Sequence, residues 1–92
     1  MITINFFTTL RLFLNTSQLK INVVALSMHD LLRACEQHTS KPFLHKLLDP
    51  QGNLIQGAIV LVNGHHVLHL DGLQTIVKDG DVVALFPPGG GG

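Results

Sequence analysis

The stretch SMHDLLRAC, residues 27–35, decides the fold class because it carries the main helical pattern of the chain. Ser27 is a favourable N-cap, and Asp30 three residues later suits the positive end of a helix dipole. Apolar residues then recur at the spacing of one helix face, at Met28, Leu31, Leu32 and Cys35. This pattern predicts one amphipathic helix from Ser27 to about His38.

Two strands are predicted before this helix. In ITINFF, residues 2–7, Ile2, Ile4 and Phe6 alternate with polar residues, as in a strand with one buried face. LKINVVAL, residues 19–26, follows a turn at 15–17 and is short enough to pair with the first strand as a hairpin. Between them LRLFL, residues 10–14, fits either a strand or a helical turn.

After the helix, a second helical piece is predicted from Pro42 to Leu48, because the fixed φ of proline suits a first helical turn. Strands follow in AIVLV (58–62), in HHVLHL (65–70, a short strand) and in VVALF (82–86). The order of strands and one crossover helix predicts an α+β fold, a β-grasp roll with a mixed sheet of four to five strands packed on one main helix. Residues 1–86 form this domain, and residues 87–92 a flexible Pro-Pro-Gly-rich tail.

Composition excludes several classes of function. Six basic side chains balance six acidic ones among 92 residues, which disfavours nucleic acid and membrane surfaces as partners. A single cysteine, Cys35, excludes an internal disulfide and favours a reducing compartment. The apolar N-terminal stretch is interrupted by polar residues and has no flanking cleavage motif, so we expect a cytoplasmic protein.

The histidines and the cysteine do not predict a reactive site. His65 and His69 on one strand would lie about 13 Å apart, too far to share a metal ion. His66 would point to the opposite face, so we predict no metal site and no bound cofactor. Cys35 belongs to the apolar stripe of the helix, which predicts a small buried side chain rather than a nucleophile.

Two phenylalanines suggest a docking surface. If Val83 and Leu85 face the core, Phe86 faces outward, and Phe7 lies on the polar side of the first strand. These strands are neighbours in a β-grasp sheet, so the two rings are predicted to share an exposed face that docks a partner. The alternatives are that residues 10–14 cover this edge, or that the two exposed rings have no function.

The chain ends in FPPGGGG, residues 86–92, in which the one group of chemical interest is the α-carboxylate of Gly92. A carboxylate is a poor electrophile until it is activated, which requires the tail to enter another enzyme's site. Six extended residues reach roughly 20 Å, and glycine needs only a channel as wide as bare backbone. The prolines are expected to stiffen the root of the tail so that it projects from the domain. An inert linker would explain only the flexibility.

Across nearly its whole length the sequence resembles the ubiquitin-like sulfur carriers, especially the small subunit of molybdopterin synthase. The resemblance rests on FF at 6–7, LR at 10–11, VNG at 62–64, LDGLQTIVKDGDVVALFPP at 70–88 and the final Gly91-Gly92. The most specific part is the proline pair followed, two residues later, by the terminal glycine pair.

This resemblance implies a carrier or non-catalytic subunit, not an enzyme. Gly92 would be adenylated by an ATP-dependent enzyme of the ubiquitin-activating type and converted to a thiocarboxylate. It would then donate sulfur, inside the large synthase subunit, to the precursor of the molybdenum cofactor. The residues implied to bind partners are Phe7, Phe86, Pro87, Pro88, Gly89, Gly90 and Gly91.

Three alternatives stay open at this point. The chain could serve another sulfur pathway, such as thiamine thiazole synthesis, although those carriers are typically shorter and lack the proline pair. It could instead be a protein modifier that joins Gly92 to lysines, or an interaction module with an inert tail. Typical synthase subunits carry bulkier residues where this chain has Gly89 and Gly90, so a different large subunit is also open.

Overall fold

A computed structural model describes residues 1–89. Seven strands and two α-helices are defined there, in the chain order β1 (Ile2–Phe6), α1 (Thr8–Leu14), β2 (Gln18–Ile21), β3 (Ala25–Ser27), α2 (Met28–Glu36), β4 (Ile59–Val62), β5 (His65–His66), β6 (Ile76–Lys78) and β7 (Val82–Phe86). Short 3-10 turns occupy Leu44–Lys46, Val67–His69 and Gly72–Gln74.

The main sheet has five strands in the order β2-β1-β7-β4-β5. The first and last strands of the chain, β1 and β7, run parallel at its centre, while the other pairs are antiparallel. This mixed sheet confirms the predicted α+β, β-grasp fold. Strand β7 therefore lies in the middle of the sheet, and the chain that follows it leaves from there.

Helix α2 forms where the sequence predicts it. The N–H of Asp30 donates to the Ser27 hydroxyl oxygen at 3.1 Å, so the predicted N-cap is made. All four residues of the predicted stripe are fully buried, and they meet the inner face of the sheet in a single core. Burial of such side chains is worth about 1.5–3 kcal/mol each.

The open assignment of residues 10–14 is settled as helix α1. Leu10 and Leu14 are both buried, because a spacing of four residues places them on one helix face. Asn15 then ends the helix with a left-handed φ of 52°, a conformation that asparagine tolerates.

The stretch at 19–26 is divided rather than forming one strand. Its first part belongs to β2, and its last part, β3, leaves the main sheet to pair with β6, with Leu26 opposite Val77. The N–H of Asp79 donates to the carbonyl of Val24 at 2.8 Å, and this bond stabilises the segment where the chain leaves the main sheet. The chain thereby reaches the far side of the core, where α2 begins.

The helical piece predicted at 42–48 is much shorter than expected. Only Leu44–Lys46 is helical, as a 3-10 turn. The Glu36 carboxylate accepts hydrogen bonds from the N–H groups of Phe43 and Leu44, at 2.8 and 3.0 Å. A side chain from α2 thus satisfies the donors that would start this helix. Among residues 1–89, no helix combines the length and the apolar character needed to cross a bilayer.

Candidate functional site: the tail root and the sheet face beside it

The rings of Phe7 and Phe86 stack on the outer face of the main sheet. Asn5 pairs with Ala84 and Phe6 with Leu85 in the parallel β1–β7 ladder, so the next residue of each strand returns to the outer face. The ring centroids are 4.5 Å apart and the ring planes are inclined by 10°. Both side chains are half-buried. The structure therefore places the two predicted docking residues in direct contact.

An apolar surface extends around this stack across three strands. Ile59 lies opposite Phe86 and Leu61 opposite Ala84 in the β4–β7 pairing. Ile59 is 39% exposed and Val82 is 43% exposed. We call Phe7, Ile59, Leu61, Val82, Ala84 and Phe86 together the sheet-face patch. A contiguous apolar patch on a small protein is characteristic of a protein-binding surface.

Local backbone bonds fix the position of Phe7. Its N–H donates to the carbonyl of Leu85 at 3.1 Å, and its carbonyl accepts from the N–H of Arg11 at 3.3 Å. Phe7 thus joins the end of β1 to the start of α1. The next residue, Thr8, has a φ of 53°, which is strained for a β-branched side chain. Strain of this kind is commonly found where a fold has to hold a functional residue in place.

The root of the tail packs on the domain instead of leaving it at once. Pro87 is buried, and Pro88 is half-buried against the loop that precedes β4. A Cβ added to Gly57 would lie only 3.2 Å from the Cβ of Pro88. Glycine at position 57 therefore permits a close approach, and it also has a φ of +93° that other residues rarely adopt.

Of the four tail glycines, the structure describes Gly89. Gly89 has a positive φ of 69°, so its lack of a side chain suits the turn after Pro88. The predictions for Gly90, Gly91 and Gly92 concern residues outside the described range.

The Asp81 carboxylate organises the beginning of β7, at the opposite end from the tail. It accepts hydrogen bonds from the N–H of Lys78 at 2.8 Å and from the Asn63 amide at 3.0 Å. The hydrogen bond from the Lys78 backbone is the largest cause that lowers the pKa of Asp81, and the bond from Asn63 adds to it. The amide oxygen of Asn63 accepts from the N–H of Val82 at 2.9 Å. These bonds tie two turns to the central strand.

The other residues considered for chemistry do not form a reactive site. Cys35 is fully buried, and desolvation raises the pKa of its thiol to about 12. The rings of His66 and His69 meet edge to face with centroids 6.0 Å apart. Within residues 1–89, no three His, Cys, Asp or Glu side chains are grouped closely enough to hold a metal ion.

The fold and this surface define a class. A mixed β-grasp sheet, an exposed apolar face and a glycine-rich segment that follows the central strand together describe a ubiquitin-like protein. The ThiS family model matches residues 4–92, and the chain belongs to this family of ubiquitin-like sulfur carriers. Proteins of this family are carriers and not catalysts, in agreement with the function class implied by the sequence resemblance.

Similar proteins support this assignment. A proposed sulfur carrier protein of Archaeoglobus fulgidus is 34% identical over 79 residues, which are 86% of this chain and 89% of the relative. Small archaeal modifier protein 3 of Haloferax volcanii is 58% identical over 33 residues, or 36% of each chain. A chain in the crystal structure of the Amycolatopsis orientalis BexX/CysO complex superposes with a TM-score of 0.80 at 22% identity, covering 100% of both chains. At that identity the likeness concerns the fold.

Two features of the site are not evident from the sequence. The first feature is the burial of Pro87. The second is the contact between Gly57 and Pro88, which lie far apart in the chain. The available signal is Gly57 itself, a glycine directly before a predicted strand. Without the sheet register, however, its neighbour cannot be identified.

Proposed function

We propose that Gly92 is the residue of this carrier that bears sulfur, and that the chain acts as the small subunit of a molybdopterin synthase. The observation that carries the proposal is the position of β7. This strand lies at the centre of the sheet, ends in the sheet-face patch at Phe86, and leads directly into the proline pair and the glycines.

The chemistry of the carboxylate requires activation from outside. A carboxylate oxygen of Gly92 attacks the α-phosphorus of ATP in an adenylating enzyme of the ubiquitin-activating type, and pyrophosphate leaves. Hydrosulfide then displaces AMP from the acyl carbon and leaves a thiocarboxylate in place of the carboxylate. A persulfide on a donor protein would instead displace AMP to give an acyl disulfide, which a thiol reductant cleaves to the same thiocarboxylate. The only thiol of the chain, Cys35, is buried with a raised pKa, so the sulfur has to come from another protein or from sulfide.

The sheet-face patch supplies the docking energy in this proposal. Ordering the tail inside a partner costs roughly 1–2 kcal/mol per residue, and apolar contacts on the patch offset part of this cost at about 25 cal/mol per Å² buried. The partners are the adenylating enzyme and then the large synthase subunit. The BexX/CysO complex, one chain of which superposes on this protein, supports a heteromeric mode of action.

Reconstitution with a large synthase subunit tests the molybdopterin assignment. The thiocarboxylated chain and the large subunit from the same organism are incubated with cyclic pyranopterin monophosphate, and dithiolene formation is measured. We expect product in proportion to the thiocarboxylate supplied. The matched control is the same chain extended by one residue beyond Gly92, which should give none. Sulfur transfer by this extended chain, or no product from the thiocarboxylated chain, would contradict the proposal.

A second candidate function is protein modification, which the similarity to small archaeal modifier protein 3 favours. The same activated Gly92 would then react with a lysine amine instead of a sulfur nucleophile. Incubation with adenylating enzyme, ATP and a cell extract discriminates the two functions, because only a modifier forms conjugates that resist thiol reagents. Thiamine thiazole synthesis is the remaining alternative among the sulfur pathways, and supply of sulfur to a thiazole synthase would indicate it.

A further inference from the structure

A cluster of positive charge surrounds one aromatic ring next to the tail root. The ammonium nitrogen of Lys41 lies 4.2 Å from the centroid of the Phe13 ring, and that of Lys46 lies 4.6 Å from it. The ring of His45 contacts Phe13 edge to face, with centroids 6.1 Å apart. Phe13 belongs to α1, while Lys46 and His45 belong to the 3-10 turn, so the cluster joins two separate segments.

The cluster borders an apolar groove of about 430 Å³. Its lining is formed by Thr9, Leu10, Leu12, Phe13, Lys46 and Pro87. Leu12, which is 76% exposed, contributes an apolar side chain to this lining. We call this feature the Phe13 groove. Because Pro87 forms one wall, any protein that receives the tail comes directly past it.

Neither of the two lysines over the Phe13 ring has a salt-bridge partner within the described part of the chain. Among residues 1–89, the salt bridges join Met1 to Asp79 and His29 to Asp30, so neither Lys41 nor Lys46 takes part in one. The Glu36 carboxylate accepts hydrogen bonds through its Oε2 atom from the N–H groups of Phe43 and Leu44.

Positive charge lies at the tail end of the central strand. Lys46 lies beside Pro87 at the end of β7, and Lys41 lies over the same Phe13 ring as Lys46. These two ammonium groups, neither of which takes part in a salt bridge within residues 1–89, give the tail root a local positive field. A field of this kind favours a partner that presents carboxylates at the tail entrance, and the apolar floor favours apolar side chains between them.

We propose that the Phe13 groove docks an acidic, partly apolar segment of the adenylating enzyme that takes up the tail. This inference rests on the proposed function, and it adds a second recognition surface to the sheet-face patch. Carboxylates of the segment pair with Lys41 and Lys46, and an apolar side chain contacts Leu12 and Phe13. The two surfaces flank Pro87, so together they orient the tail as it enters the enzyme.

The test compares two double variants with the same loss of charge. K41Q/K46Q removes both ammonium groups from Phe13, whereas R33Q/K78Q removes two positive charges from α2 and β6, away from the groove. The dissociation constant for the adenylating enzyme of the same organism is measured by calorimetry without ATP, at low and at high salt. Circular dichroism melting curves verify that both variants fold.

We expect K41Q/K46Q to weaken binding roughly tenfold at about 50 mM salt, and R33Q/K78Q to change it less than about twofold. The difference should shrink at about 500 mM salt, where exposed charges are screened. Equal effects of the two variants, or no binding of the unmodified chain, would overturn the inference. So would a dimer of the unmodified chain that K41Q/K46Q cannot form, because the groove would then hold a second copy.

A separate readout distinguishes failure of this inference from failure of the proposed function. Thiocarboxylate formation by the unmodified chain and by R33Q/K78Q, whose groove residues are unchanged, is followed by mass spectrometry at saturating enzyme. The two chains should form thiocarboxylate at the same rate. If the unmodified chain forms none, the proposed function fails, whereas the binding comparison still decides whether the groove docks the enzyme.

Discussion

The close approach of Gly57 to Pro88 gives a quantitative prediction about the tail root. Substitution Gly57→Ala places a methyl group 3.2 Å from the Cβ of Pro88, which is shorter than an ordinary van der Waals contact, at a residue with a φ of +93°. The left-handed backbone alone should cost about 1–2 kcal/mol. The contact should add roughly 0.5–1 kcal/mol, because Pro88 has to shift.

Gly80→Ala is the matched control for the backbone term. Gly80 has a φ of +94°, but nothing lies within 4 Å of the position of an added Cβ. Both variants therefore pay the same conformational cost, and only Gly57→Ala disturbs the tail root. The free energy of unfolding is measured by urea titration with circular dichroism, since the chain has no Trp or Tyr for fluorescence.

A double-mutant cycle isolates the contact. Pro88→Gly removes the Cβ that meets the added methyl group, so in this background Gly57→Ala should cost no more than Gly80→Ala costs in the unmodified chain. A coupling free energy within about 0.3 kcal/mol of zero would refute the reasoning, because it would mean that Pro88 does not pack against position 57.

Further predictions concern the rest of the described chain. The hydrogen bonds that lower the pKa of Asp81 stabilise the fold above the ordinary aspartate pKa of about 3.9, and this contribution disappears as the pH falls through the lowered folded value. Asp81→Asn should therefore flatten the dependence of the urea midpoint on acidic pH. Thr8→Gly relieves a φ of 53° at an exposed position and should raise the free energy of unfolding by about 0.5–1 kcal/mol in urea titrations. Phe86→Ser should weaken binding to the adenylating enzyme in calorimetry roughly tenfold or more, whereas Val24→Ser, at a residue 82% exposed outside the sheet-face patch, should leave it unchanged. Cys35, whose pKa is raised to about 12 by burial, should react with iodoacetamide far more slowly in the folded chain than in urea; equal rates would contradict its burial.

Local pattern was sufficient where one face of an element is buried. Met28, Leu31, Leu32 and Cys35 lie on one face only if the segment is a helix, and the Ser27 cap marks the beginning of that helix. The outward position of Phe86 follows from strand alternation in the same way. In both cases the neighbours in sequence determine which side of the element meets the core.

Local pattern was not sufficient where tertiary packing chooses between two conformations. Leu10, Leu12 and Leu14 alternate as in a strand, yet Leu10 and Leu14 also fit one helix face, and burial of this pair selects the helix. The shortened turn after Pro42 depends on the carboxylate of Glu36, which reaches it from α2.

One part of the candidate site could be predicted from the sequence, and another part could not. The stacked pair on the sheet face could be predicted, because both strands show clear alternation and their pairing is a property of the fold. The Phe13 groove could not, because it joins Phe13 to Lys41 and Lys46 across a large separation in the chain. A contact of this kind has no local signal until the topology is known.

The most direct test of the central claim is the intact mass of the unmodified chain after incubation with the adenylating enzyme of its organism, ATP and a sulfide source. We expect a mass increase equal to the replacement of one oxygen by sulfur, located at Gly92 by fragmentation and absent without ATP. An unchanged mass with an enzyme that is active on another carrier, or sulfur located at any other residue, would contradict the claim that Gly92 carries the sulfur.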